Sequence, residues 1–361
     1  MKVSFPYMGS STFYYKLLNM LGHNVIKPPP PTEKTFKLGV KHSPEFACFP
    51  MKVMLGNMIE LHEKGVDTVL VNGGNGPCLA GYFGDCQQKI LDDLGLDIDI
   101  VIFEHEFKEL RDLMENVKLL KKHTSLFNLI RSVYICYKIA HSLDRLLKLI
   151  HRKRAYAVNS SNFCRLWEEI KNKYLEVQSL QEIKEVEKWG RDKINSLKYE
   201  VIPEEERVKI GVVGEIYVVM DEFTNNHIVE MINKLGMEVE RSQYISSYFD
   251  GHLIPFKKRK YQHLLDKGEE YLECQVGGHA KRNIGHIINF KKRDFDGIIH
   301  LKSFNCHPEI IVQSMAEKIS EDYDIPIMSI SIDEQTSQSH IKTRLEAFQD
   351  IIKQKMNNTT N

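Results

Sequence analysis

The chain has 361 residues, 42% of them apolar and 27% charged, and its 49 Lys and Arg balance 49 Asp and Glu. That much apolar material excludes a disordered chain. A formal net charge of zero excludes a general nucleic-acid-binding role, which needs a basic excess or a concentrated basic face.

The length is a soft prior for two domains. Residues 1–5 lack the apolar run of a signal peptide, so export is not expected and the chain is read as cytoplasmic. The most apolar helical stretch, residues 126–150, is interrupted by Arg131, Lys138, His141, Asp144, Arg145 and Lys148 and cannot cross a bilayer unaided. Seven scattered cysteines, an odd number, read as metal-binding, catalytic or buried thiols rather than as a disulfide framework.

Residues 2–6 read as a strand, 11–21 as a helix and 24–26 as a short strand. Pro28 to Pro31 form a stiff extended connector. Residues 38–41 read as a further strand, followed by a loop with Cys48 and a helix over 51–64 that ends at Gly65. A β-branched strand over 68–71 leads into Asn72-Gly73-Gly74-Asn75-Gly76-Pro77-Cys78, then a helix to Leu94 and a strand over 99–103. Strands alternating with helices argue for a parallel sheet covered on both faces.

From 106 to 198 charge is dense and the one glycine is Gly190. Leu129, Val133, Cys136, Ala140, Leu143, Leu147 and Ile150 make one apolar stripe at helical spacing; Phe163, Trp167, Ile170, Tyr174 and Val177 make a second. This segment is expected to be a helical insertion packing between or across two α/β domains, with a self-associating coiled coil as the alternative. After Pro203 the alternation resumes, with strands over 208–213, 237–241, 297–301 and 325–332 and helices over 226–235, after Pro308, and over 343–355. Lys257-Lys258-Arg259-Lys260 reads as a solvated face. The expected division is 1–105 α/β, 106–200 helical, 201–356 α/β, and a disordered tail over 357–361.

Three cysteines share a setting. Cys48, Cys78 and Cys306 each have a proline within two residues (Pro50, Pro77, Pro308), which places the thiol near the start of the next helix. On this reading all three lie at carboxyl ends of sheet strands, where open α/β sheets bind ligands. A helix N-terminus favours the thiolate, the ligand form for iron–sulfur clusters and zinc. Cys136 and Cys86 lie on apolar stripes and Cys164 borders one, so packed thiols are expected there; Cys274, before Gly277-Gly278-His279, is ambiguous. No CxxC pair is present, so local pattern alone leaves a shared metal site and three unrelated loop thiols both open.

Several segments, in one order, resemble the activase-associated branch of the 2-hydroxyacyl-CoA dehydratase component superfamily: 45–52 (EFACFPMK), 76–84 (GPCLAGYFG), 213–222 (VGEIYVVMDE), 277–285 (GGHAKRNIG), 295–310 (FDGIIHLKSFNCHPEI), 325–336 and 342–350. The resemblance implies tandem Rossmann-like parallel-sheet domains with the helical segment inserted. It also implies a [4Fe-4S] cluster held by Cys48, Cys78 and Cys306 in an inter-domain cleft, and low-potential electrons from a separate ATPase activator. Three ligands leave one iron without a cysteine, open to water, a small thiol or a substrate oxygen. Lys52, Asn305 and Glu309 become candidates for the surroundings of the cluster, against the plainer reading of helix capping and surface pairing. The alternatives are an acyl-CoA dehydratase or reductase component with substrate at that iron, a noncatalytic scaffold or maturation partner, and a double-cubane cluster reductase. A homo- or heterodimer fits any of these.

Two departures stand out. Leu79-Ala80-Gly81 follows Cys78 where the family commonly has Arg-Phe-Gly, and His307 stands in the motif Cys306-His307-Pro308-Glu309. A cation lost beside an anionic cluster alters its potential or its docking surface. No Walker A motif is present, so ATP hydrolysis is expected from a partner. The 73–76 glycine loop is read as allowing close backbone approach and N–H donation toward cluster sulfurs.

Overall fold

The computed structural model describes all residues except 10, 74–77, 104–116, 119, 122–123, 253–257 and 361. Most of the 73–76 glycine loop, Pro77, the expected boundary at 105–106, Lys257 of the basic run and Asn361 therefore lie outside the described residues. The chain divides into two compact units, Met1–Ala140 with Gln178–Leu180 and His141–Val177 with Gln181–Asn361. The expected helical segment is shared between them.

The first unit is built on β1 (Lys2–Ser4), α1 (Thr12–Met20), β2 (Asn24–Val25), α2 (Glu33–His42), α3 (Phe49–Glu63), β3 (Thr68–Asn72), α4 (Phe83–Asp93) and β4 (Asp99–Phe103). Its four strands are all parallel, in the order β2-β1-β3-β4. Leu55, Met58, Leu61, Val69, Val71 and Leu91 form the core between the sheet and its helices.

Residues 38–41 are not a strand. They lie in α2, which a Thr32–Thr35 capping box starts: Thr35 N–H donates to the Thr32 hydroxyl, and the Thr35 hydroxyl accepts from Thr32 N–H at 2.9 Å. Gly39 and Gly56 then let α2 and α3 meet backbone to backbone. A Cβ on Gly39 would stand 1.9 Å from Lys52 O, and one on Gly56 2.0 Å from Thr35 O. The face of α4 also differs from expectation. Gly84, Gln87 and Leu91 are buried, while Cys86 on the neighbouring stripe is half-buried, because Gly84 fits against Ile102 and Val71 where a larger residue would not.

A long helix, α5 (Leu126–Lys153), carries the expected stripe: Leu129, Cys136, Ala140, Leu143, Leu147 and Ile150 are all buried, while Val133 is half-buried. On α6 (Ser161–Glu176) the buried line is Phe163, Leu166, Ile170 and Tyr174, with Trp167 half-buried beside it. Gly190 of α7 (Leu180–Asn195) packs on Leu146 and Ile170.

The second sheet joins β5 (Val208–Gly214), β6 (Met237–Arg241), β7 (Gly297–Ser303) and β8 (Ile327–Ile332), all parallel, in the order β6-β5-β7-β8. Its helices are α8 (Ile216–Met220), α9 (Ile228–Lys234), α10 (Ile245–His252), α11 (Lys258–Glu269), α12 (Ala280–Lys291), α13 (His307–Asp322) and α14 (Gln338–Thr360). Ile284, Ile287, Phe290, Ile298, Val312 and Ile319 fill the core. The closing helix starts before the expected residue 343 and runs through residues 357–360, expected to be disordered; no Gly or Pro interrupts it. No helix among the described residues is long and apolar enough to cross a membrane.

The two sheets share a plan. The first strand of each is central, the second lies on one side and the third on the other, so the chain reverses direction between first and third strands. At such a switch point the loops diverge and leave a crevice at the carboxyl ends.

Glu240 on β6 ties the second unit together. Arg293 donates two hydrogen bonds to it, at 2.9 and 2.8 Å, and Arg152 one at 2.8 Å. Burial raises this carboxyl, but the two guanidinium groups outweigh that and hold it at about 2. A carboxyl depressed from 4.5 stabilises the fold above pH 4.5 and loses that contribution as the pH falls toward 2. Glu240→Gln should therefore cost about 2 kcal/mol at pH 7, after discounting for the two half-exposed arginines, and should flatten the acid limb of a urea-midpoint-versus-pH curve. An unchanged acid limb would exclude this role.

Candidate functional site

Each of the three singled-out cysteines is the residue immediately before a helix or helical turn. Cys48 precedes α3, with Pro50 in the first turn; Cys306 precedes α13, with Pro308 likewise; Cys78 precedes a 3-10 turn, Leu79–Tyr82. Each backbone is extended there and no side chain caps the helix. A thiol so placed meets the positive end of the helix dipole, which favours its ionised form. All three are half-buried, and none of the seven cysteines forms a disulfide.

Cys78 follows β3 and Cys306 follows β7, so each lies beyond the third strand of its sheet, at the switch point. Cys48 does not follow a strand. It sits in the α2–α3 connection, because residues 33–42 are helical. It nevertheless lies toward the carboxyl end of the first sheet, since α3 returns through the Gly65 turn to the start of β3. Gln87 of α4, fully buried, donates from Nε2 to Met51 O in the first turn of α3 at 3.2 Å. That bond links the helix after Cys48 to the helix after Cys78. The two α4 residues that organise this end, Gly84 and Gln87, were not singled out from sequence.

The surroundings of Cys306 are the most developed. Glu309 is buried in the first turn of α13, not paired at the surface. Its Oε2 accepts from His300 Nε2 at 2.9 Å and its Oε1 from Asn283 Nδ2 at 2.8 Å. Asn283 also donates to Gly214 O at 2.9 Å, and Gln243 donates to Asn283 Oδ1 at 3.3 Å. The other ring nitrogen of His300 is 3.0 Å from the Ser329 hydroxyl. Gly278 packs on Pro308, where a Cβ would stand 3.1 Å from the proline ring. The segments 213–222, 277–285, 295–310 and 325–336 thus meet at the start of α13.

Two further charged groups stand at this end of the sheet. Glu215, at the end of β5, accepts from Tyr217 N and Val218 N at 3.0 and 2.9 Å; desolvation, aided by the charge of Glu309, raises its carboxyl to about 7. Lys302 on β7 is pushed down by burial, against the opposing pull of Cys306 and Glu309. His307 is exposed, Asn305 half-buried, and Lys52 buried on α3.

Of the four remaining thiols, Cys86 is half-buried, and Cys164, expected to be packed, is instead on the exposed side of its helix. Cys136 is fully buried, its Sγ 4.0 Å from Met20 Sδ, and burial pushes its thiol up to about 12, as suits a packed core cysteine. Cys274 is exposed. Among the described residues no group of three His, Cys, Asp or Glu side chains stands close enough to hold a metal ion, and Cys48 and Cys78 belong to the first unit while Cys306 belongs to the second.

Two families match the chain. The 2-hydroxyglutaryl-CoA dehydratase, D-component family covers residues 91–352, and the CoA enzyme activase uncharacterised domain covers residues 2–72. The first spans well over half of the sequence, and the chain belongs to the 2-hydroxyglutaryl-CoA dehydratase D-component family. No curated protein matches it.

Proposed function

We propose that this protein is an iron–sulfur redox component that binds a [4Fe-4S] cluster through Cys48, Cys78 and Cys306 and receives low-potential electrons from a separate ATP-dependent activator. The supporting observation is that these three thiols, unlike the other four, each belong to the residue immediately before a helix or helical turn. The donor set suits the group: three half-buried thiols outside any disulfide, favoured as thiolates by their position. When bound, the cluster supplies one-electron chemistry.

The chain's own residues fix the loops that carry the thiols. Gln87 holds the first turn of α3 through Met51 O, and Glu309 anchors the first turn of α13. Large apolar side chains lie exposed next to each thiol: Phe46 before Cys48, Leu79 and Tyr82 after Cys78, Phe304 and Ile310 on either side of Cys306. Apolar surface of that kind suits transient contact with an electron donor.

The experiment is anaerobic purification with iron and sulfide analysis. About four irons per chain are expected. Cys→Ser at position 48, 78 or 306 should each deplete iron, while Cys136→Ser should not. Full iron retention by all three variants sinks the assignment.

A further inference from the structure

The switch point of the second sheet carries a second group besides Cys306. Strands β5 and β7 are hydrogen-bonded neighbours, paired in register from Ile210 with Gly297 to Gly214 with Leu301. Glu215 N–H donates to Leu301 O at 3.0 Å, so Glu215 leaves β5 just as β7 runs on toward the Cys306 loop. Glu215 and Cys306 hold equivalent places: each is the residue before the helix that follows its strand. Asn283 bridges the two ends, donating both to Gly214 O and to Glu309 in the first turn of α13.

We propose that Glu215 is the proton acceptor for one-electron reduction of the group held by Cys306. An electron from the low-potential donor enters the cluster, and a proton from solvent binds the Glu215 carboxylate, so the net charge of the site is unchanged. The inference rests on the cluster reading above.

Among the described residues, the charged groups on the elements around Glu215 include Arg241 of β6, which donates to Val219 O and Met220 O at the far end of α8. Glu309 on α13 adds negative charge, Lys302 and His300 are the basic groups on β7, and Cys306 supplies a thiol; Asp221, at the far end of α8, is engaged in capping Thr224 N–H. Glu309 is committed to His300 and Asn283. Glu215 is partly exposed, so solvent protons can reach it. Its carboxyl already stands near neutrality in the metal-free chain, and an electron added nearby raises proton affinity further.

The test uses the cluster-loaded full chain, reduced stepwise with titanium(III) citrate and followed by visible and electron paramagnetic resonance spectra between pH 6 and 9. The midpoint potential is expected to fall as pH rises. The slope should approach the value for a tenfold change in equilibrium per pH unit, about 59 mV for one electron. Glu215→Gln should abolish the slope at unchanged iron content, and Glu215→Asp should retain it. Proton uptake by the wild-type protein on reduction, read with an indicator dye in weakly buffered solution near pH 8, where the Glu215 carboxyl is mostly ionised before reduction, should approach one per electron. This second reading stands even if a variant fails to fold. A flat potential with full iron, a slope unaltered by Glu215→Gln, or no proton uptake overturns this inference alone. A chain that takes up no iron overturns the cluster reading and this inference with it.

Discussion

Replacing Gly214 by alanine is expected to cost roughly 3–5 kcal/mol, the sum of backbone strain and overpacking. Gly214 has φ +139°, a conformation that residues with a Cβ avoid, and its ideal Cβ would lie 1.8 Å from Leu301 O. The obstacle is the backbone of β7, so no rotamer change relieves it. Either β5 and β7 separate at their carboxyl ends or Glu215 turns aside. Gly236→Ala provides the comparison, because Gly236 has φ +78° but nothing within 4 Å of the added carbon. That variant bears only the backbone term, about 1 kcal/mol. Urea unfolding of the two variants separates close approach from backbone strain; equal losses would show that contact with β7 is unimportant.

The alternation of strands and helices was legible in the sequence because each buried strand is a short β-branched apolar run and each amphipathic helix has a clear stripe. Cys136 was legible for the same reason: its position on the α5 stripe puts it in the core. The helix starts after Cys48 and Cys306 were legible from Pro50 and Pro308, which fit only the first turn. Residues 38–41 misled because Phe36, Leu38 and Val40 alternate as a half-buried strand would. What decides for helix is the Thr32–Thr35 box and the Gly39–Gly56 contact, the second of which joins residues far apart in sequence. The apolar stripe that carries Cys86 misled because Gly84, invisible to a hydrophobic pattern, is what lets α4 approach β3 and β4.

The polar network beneath Cys306 was beyond reach for a similar reason. Glu309, His300, Asn283 and Ser329 come from α13, β7, α12 and β8, and no local spacing links them. The sequence hinted at them only as members of segments that resemble one family. Glu309 was a candidate for the surroundings of the cluster, with helix capping or surface pairing as the plainer reading, because a glutamate in the first turn of a helix usually does the latter. Only the contacts show that it is buried.

Glu309→Leu is accordingly expected to destabilise the protein by about 4 kcal/mol. His300 and Asn283 are both fully buried, and the substitution leaves His300 Nε2 and one Asn283 Nδ2 bond without their acceptor. A buried donor stripped of its partner costs about 1–3 kcal/mol, and two are stranded here. His300→Leu removes one of those donors but strands Glu309 Oε2 and the Ser329 hydroxyl, so it should cost a comparable amount. In the double variant the histidine no longer exists to be stranded, and the combined loss should fall short of the sum by about 1–2 kcal/mol. The network also anchors the first turn of α13, whose preceding residue is Cys306. Releasing that anchor should speed modification of Cys306 by a thiol reagent in the metal-free protein, while Cys136, in the other unit, keeps its slow rate. Strict additivity of the two leucine substitutions, with unchanged Cys306 reactivity, would mean that the buried carboxylate neither pairs with His300 nor holds the loop that carries the thiol.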